Sequence, residues 1–124
     1  MTQQTFRRIV LGMSDAVEGA HMNHPDFRVK GRIFATLRPD HNCGVVMLTP
    51  EQQQRMLREA PESFSAESGA WGRQGCTRVH LDVADEELVG EAITLAWQNA
   101  VAAPRKSKTK PGARSGRRGS SKRA

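Results

Sequence analysis

Apolar positions along this chain change period several times, and each change marks an element. Phe6, Ile9, Val10 and Met13 recur at i, i+3, i+4 and i+7, the spacing of one helix face. Gly12 stands where the pattern ends and can act as a C-cap, so a helix is predicted over 3–12. Phe27, Val29, Ile33, Ala35 and Leu37 then fall on alternate positions around Lys30-Gly31. Only a reversal at Gly31 turns both apolar sets the same way, which predicts a β-hairpin over 26–38. On that alternation Phe27, Val29, Ile33 and Leu37 face inward. Arg28, Lys30, Arg32 and Arg38 face outward, with Phe34 and Thr36 among them. Residues 16–22 form an earlier candidate strand, weakened by Glu18-Gly19. Val45-Val46-Met47-Leu48 is a continuous apolar run, the pattern of a central strand covered on both faces.

Thr49-Pro50-Glu51-Gln52 reads as a helix start. Thr49 can accept from the N3 amide, Pro50 suits the first helical position, and Gln52 can reach back to the cap. Met56, Leu57 and Ala60 give that helix its buried stripe until Pro61 stops it. After a loop holding Trp71, the alternation Thr77, Val79, Leu81, Val83 predicts another strand. A last helix opens at Asp85-Glu86-Glu87, whose charges suit the positive end of the helix dipole. It buries Val89, Ala92, Ile93, Ala96, Trp97, Ala100 and Val101, and Pro104 ends it. The predicted fold class is α+β: a two-layer sandwich in the order α-β-β-β-α-β-β-α, with an antiparallel sheet and helices on one face.

Charge divides the 124 residues in two. The segment 104–124 holds nine of the 19 Lys and Arg and no acid. Residues 1–103 keep ten basic residues against all 13 acidic ones, a net charge of −3 beside +9. Ala is the only apolar residue of that segment, so it cannot bury enough surface to offset its ordering entropy. One domain over 1–103 and a disordered basic tail over 104–124 are therefore expected. Cys43 and Cys76 are far apart and outside any C-x-x-C pair, a usage that fits a reducing cytoplasm. Neither a signal-peptide core nor an apolar run of roughly 20 residues is present. The expected location is cytoplasmic, with no membrane partner.

Several stretches resemble the YjbR/MmcQ-like family. They are His24-Pro25-Asp26-Phe27-Arg28-Val29, then Gly31-Arg32-Ile33-Phe34-Ala35-Thr36-Leu37, then Leu48-Thr49-Pro50-Glu51, and Gly69-Ala70-Trp71-Gly72-Arg73-Gln74-Gly75. The similarity spans roughly residues 5–101. It implies a compact two-layer domain, similar in topology to secretion chaperones and commonly labelled DNA-binding through paired β wings. The chain departs from the pattern at Cys76, where the family often carries a bulky aromatic. The resemblance implies no reaction and no catalytic residues.

The candidate chemistry is that of polyanion binding. Arg28, Lys30, Arg32 and Arg38 on the outward hairpin face could meet phosphates or guanine edges; the plain alternative is a solvated strand face that resists aggregation. Trp71, Arg73 and Arg78 could form a second wing with Trp71 stacked on a base, or Trp71 could pack onto the last helix as a loop anchor. His21-x-x-His24 and His41-x-Cys43 offer zinc-ligand types. Without a second matched pair they predict no metal, and no cofactor is expected. Neither cysteine has an activating neighbour in sequence, so no catalytic residue is assigned and the chain is expected not to be an enzyme. The strongest signal is the tail. Arg105, Lys106, Lys108, Lys110, Arg114, Arg117, Arg118, Lys122 and Arg123 can neutralise phosphates without reading sequence, over a reach of roughly 70 Å when extended. The expected activity is largely non-specific binding of nucleic acid, DNA ahead of RNA. The competing class is a protein-interaction or chaperone-like adaptor whose tail is a solubilising appendage. Partner and oligomeric state stay open at this level.

Overall fold

The computed structural model describes residues 1–21 and 24–103. The segment 104–124, and with it the expectation of a disordered tail, lies outside the described residues.

The first helix, α1 (Gln3–Leu11), follows the predicted face: Phe6 and Val10 are buried. Thr2 caps it by accepting from the Thr5 amide, and the Gly12 N–H closes its far end on Arg8, Ile9 and Val10 carbonyls. Four strands follow: β1 (Val17–His21), β2 (His24–Val29), β3 (Arg32–Arg38) and β4 (Cys43–Met47). Lys30 and Gly31, both at positive φ (53° and 79°), make the tight reversal between β2 and β3, the left-handed pair that a two-residue hairpin turn needs.

The helix α2 (Pro50–Glu59) begins with the predicted capping box, complete in both directions between Thr49 and Gln52. The chain continues through β5 (Phe64–Ala66), the short helix α3 (Gly69–Arg73), β6 (Cys76–His80) and α4 (Glu86–Ala102). Asp85 caps α4 by accepting from the Glu87 and Leu88 amides. The α+β class and the antiparallel sheet stand, but the element order departs from the expected one. Four strands precede α2, and α3 separates β5 from β6. The run from Phe64 to Arg73 gave too few repeats to distinguish either element from a loop.

All six strands form one antiparallel sheet in the order β1-β2-β3-β4-β6-β5. Cross-strand partners share a face, so the register assigns the two sides. Leu37, Gly44, Val79 and Phe64 form one row, and Ala35, Val46, Thr77 and Ala66 another, on the side that α1, α2 and α4 cover. There they meet Phe6, Val10, Met56, Val89, Ile93 and Ala96 in a single core. β4 is buried along nearly its whole length, as its unbroken apolar run predicts. β6 stops at His80, so Leu81 enters the core while Val83 is exposed.

The hairpin corrects one expectation that bears on the site. A bulge shifts the register between Phe27 and Arg28, so that Phe27 faces Ala35 and Arg28 faces Ile33. The extra residue is Phe34, and one inserted residue reverses the alternation beyond it. Phe34, expected to face outward, is fully buried in the core, whereas Ile33 turns to the other face. Arg32 lies across from Val29 and Arg28 across from Ile33, so the two arginines belong to successive cross-strand pairs and come together only at the hairpin tip. Lys30 is in the turn itself.

Candidate nucleic-acid interface

The face of the sheet away from α1, α2 and α4 carries the row Asp26, Thr36, Val45, Arg78, Ser65. Its expected cations are held by local carboxylates. Arg28 donates through Nε and an Nη to the two oxygens of Asp26, at 2.9 and 3.1 Å, and the Asp26 side chain is fully buried. That fork raises the Arg28 pKa above its ordinary value, first through the hydrogen bonds and then through the charge of Asp26.

Across the sheet, one carboxylate serves two arginines. Arg38 meets one Glu67 oxygen at 2.7 Å, and Arg78 donates to the other at 2.5 Å. The Glu67 side chain is only 8 % exposed, while both guanidiniums stay about one-third exposed. Carboxylate and arginines lie beside Val45 on this face, where Cys43 and Val45 are each 2 % exposed although, among the described residues, α1, α2 and α4 all pack on the opposite side. Burial pushes the thiol pKa of both Cys43 and Cys76 up, with Arg78 and Arg38 pulling the Cys43 value partly back.

Beside this triad Trp71 projects from α3 and is 66 % exposed. The sequence allowed a loop anchor packed on the last helix; Trp71 is instead open to solvent, while Trp97, a residue of α4 itself, packs on the core with its indole N–H on the Ser14 carbonyl. α3 is held from beneath. Buried Gln53 donates to the carbonyls of Gly72 and Cys76, at 3.0 and 2.9 Å. A Cβ on Gly72 would stand 1.7 Å from the Glu67 carbonyl oxygen, and Gly75 takes φ +113° against the Leu48 carbonyl. The close approach fixes why glycine occupies both positions of that stretch. Ile33, Thr36, Arg38, Val45, Met47, Glu67, Ser68, Trp71, Cys76 and Arg78 together line a groove of about 450 Å³.

Of the expected site residues, the structure brings Arg38 and Arg78 to this groove. Arg28 stands with Arg32, Gly31 and Ile33 around a separate hollow at the hairpin tip. Lys30 and Arg73 are exposed. The nine tail cations lie outside the described residues. Glu67 and Gln53 were missed by the sequence reading. Their signal was slight: Phe64-Ser65-Ala66-Glu67 alternates for four residues only, and a buried glutamine leaves no trace in an apolar pattern. Among the described residues, no group of three metal-ligating side chains assembles, and no helix is long and apolar enough to cross a membrane.

A six-stranded antiparallel sheet backed by helices on one face defines a two-layer α+β protein. The family model for YjbR matches residues 11–99, and the chain belongs to the YjbR family. Its fold is similar to the crystal structure of the Deinococcus radiodurans protein DR2400, which carries a DUF419 domain. The TM-score is 0.70 at 17 % sequence identity, covering 82 % of this chain and 79 % of that one. No protein with a curated description matches.

Proposed function

We propose that this chain is a non-enzymatic accessory protein that binds nucleic acid, DNA ahead of RNA, largely without regard to sequence, and that its basic segment 104–124 supplies most of the affinity. The observation that carries this reading is the division of charge, +9 in that segment against −3 in residues 1–103. The folded part fits a secondary role. Its arginines at Arg28, Arg38 and Arg78 are tied to Asp26 and Glu67, so they release fewer counterions than free cations would. Lys30 and Arg73 stay exposed to help with orientation. Two free thiols suit action in the reducing cytoplasm.

The test is a duplex DNA titration with full-length protein and a 1–103 truncation at several salt concentrations. For the full chain, log K falls against log salt with a slope of roughly −5 to −8; the truncated protein binds far more weakly. Its melting temperature stays within about 4–8 °C of the parent, the shift that roughly 1 kcal/mol produces in a domain this size. Equal affinity for the two proteins would sink the reading. A second reading, a protein-interaction module, draws on the apolar groove beside exposed Trp71. It gains if the two proteins bind DNA equally poorly.

A further inference from the structure

We propose that the groove under Trp71 receives an unpaired nucleobase together with its phosphate, so that the folded domain selects single-stranded over duplex nucleic acid. This rests on the nucleic-acid reading above and assigns the domain a task that the tail cannot perform.

Three features of the groove carry the inference. First, Trp71 is a large aromatic surface left two-thirds exposed on a helix of five residues. Gln53 and the glycine contacts at Gly72 and Gly75 hold that helix in place. A pre-positioned indole loses little freedom when a base stacks on it, and every base has a face to offer.

Second, the charge at the groove is positive and directional. Arg38 and Arg78 share the single carboxylate of Glu67, so one positive charge is left over. The Arg78 Nε is buried without a hydrogen-bond partner. Guanidinium groups held by a carboxylate on one side present their remaining N–H donors in a fixed fork, the geometry that suits a phosphate.

Third, the shape excludes a duplex. The groove holds about 450 Å³ over an apolar floor of Ile33, Val45 and Met47, near the lower end of pockets that enclose small ligands. A base inside a helix is stacked on both faces and cannot enter without being turned out. The groove also lies on the face of the sheet, where Thr36, Val45 and Arg78 are interior positions of the ladder. A peptide strand finds no free backbone edge to pair with there, which favours a ligand held by stacking and charge.

The experiment measures binding of a ten-nucleotide single strand and of the same sequence as a duplex to the full-length protein. It is run at about 0.3 M salt, where the tail's contribution is reduced. Trp71→Ala lowers single-strand affinity on the order of 10- to 100-fold, the range of one lost stacked base, and leaves duplex affinity unchanged. Trp71→Phe restores a large part of the loss, because a smaller ring still stacks. Arg38→Gln and Arg78→Gln each lower single-strand affinity, and adenosine 5′-monophosphate competes better than adenosine or inorganic phosphate alone. An unaltered ratio of single-strand to duplex affinity in Trp71→Ala overturns the proposal. So does competition by an acidic aromatic peptide where the mononucleotide has none, which reassigns the groove to a protein partner. Failure of the tail reading looks different: deleting 104–124 would then leave both affinities where they were.

Discussion

The two faces of the one sheet are closed by different forces. On the helix side, the row Leu37, Gly44, Val79, Phe64 is apolar from β3 to the β5 edge and meets Phe6, Met56 and Ile93. On the other side, the row Asp26, Thr36, Val45, Arg78, Ser65 mixes carboxylate, hydroxyl, guanidinium and aliphatic groups. Yet Val45 there is as inaccessible as Leu37 on the first face, each at 2 %. Apolar area removed from water accounts for the first face. The second depends on Glu67 and its two arginines lying across the strands. The comparison teaches that burial on the open face hangs on a few ionic contacts, which makes it both more adjustable and more fragile.

The bulge in the hairpin decides which residue belongs to which face, and it gives the largest expected effect. Phe34→Ala removes a fully buried ring from the core and should cost about 3–5 kcal/mol. Ile33→Ala, half-buried on the open face, should cost on the order of 1 kcal/mol, a fraction of full aliphatic burial. Urea unfolding of both variants at unchanged m-value separates them. Similar losses would mean that the strict alternation, with Ile33 inward, is correct after all.

That pair also shows how far the sequence could be read. α1, α2, α4 and the hairpin turn were legible because each repeats a period over two or more turns or carries a cap, such as Thr49 with Gln52 or Asp85 with the first amides of α4. The bulge was not, since period-two reading of Phe27 to Leu37 assumes that no residue is inserted. β5 and α3 were hidden for a different reason. Three and five residues are too few to establish a period, and their positions are set by tertiary contacts from Gln53 and the Leu48 carbonyl. The candidate site was legible as a list of cations. The pairing of Arg38 and Arg78 was not, because Glu67 reaches them through strand register rather than through local sequence; Asp26 and Arg28, two places apart on β2, share a face by simple alternation.

Glu67→Gln sharpens the comparison at intermediate size. The substitution keeps the shape but withdraws the charge that both arginines share. Breaking a fully buried pair costs about 3–5 kcal/mol; here the guanidiniums keep contact with water, so a loss of about 1–2 kcal/mol is expected. Thermal unfolding measures it. The same variant should react faster at Cys43 with a thiol reagent, because the cover over that side of the sheet loosens. A stability equal to the parent would show that the triad contributes nothing to closing this face.

The smallest expected effect comes from the two thiols beneath that cover. Cys43 and Cys76 are buried on the open face, and burial raises both pKa values, with Glu67 adding to the rise at Cys76. In the unfolded chain a thiol ionises near about 8.5. Above that pH the unfolded state sheds protons that the folded state retains, so stability falls as pH rises. Below it both states carry the protons, and the contribution is fully present. The chain has no Tyr, so no phenol ionises in the same range. Denaturant unfolding between about pH 8 and 10 should show a downward slope in the parent protein. The Cys43→Ala, Cys76→Ala double variant should show a flatter slope, whatever its absolute stability. In Glu67→Gln the parent slope should shrink, since a loosened cover admits water to the thiolates and brings the folded pKa values towards those of the unfolded chain. Equal slopes in all three proteins would place these thiols in contact with solvent, and the second face of the sheet would be open rather than ionically closed.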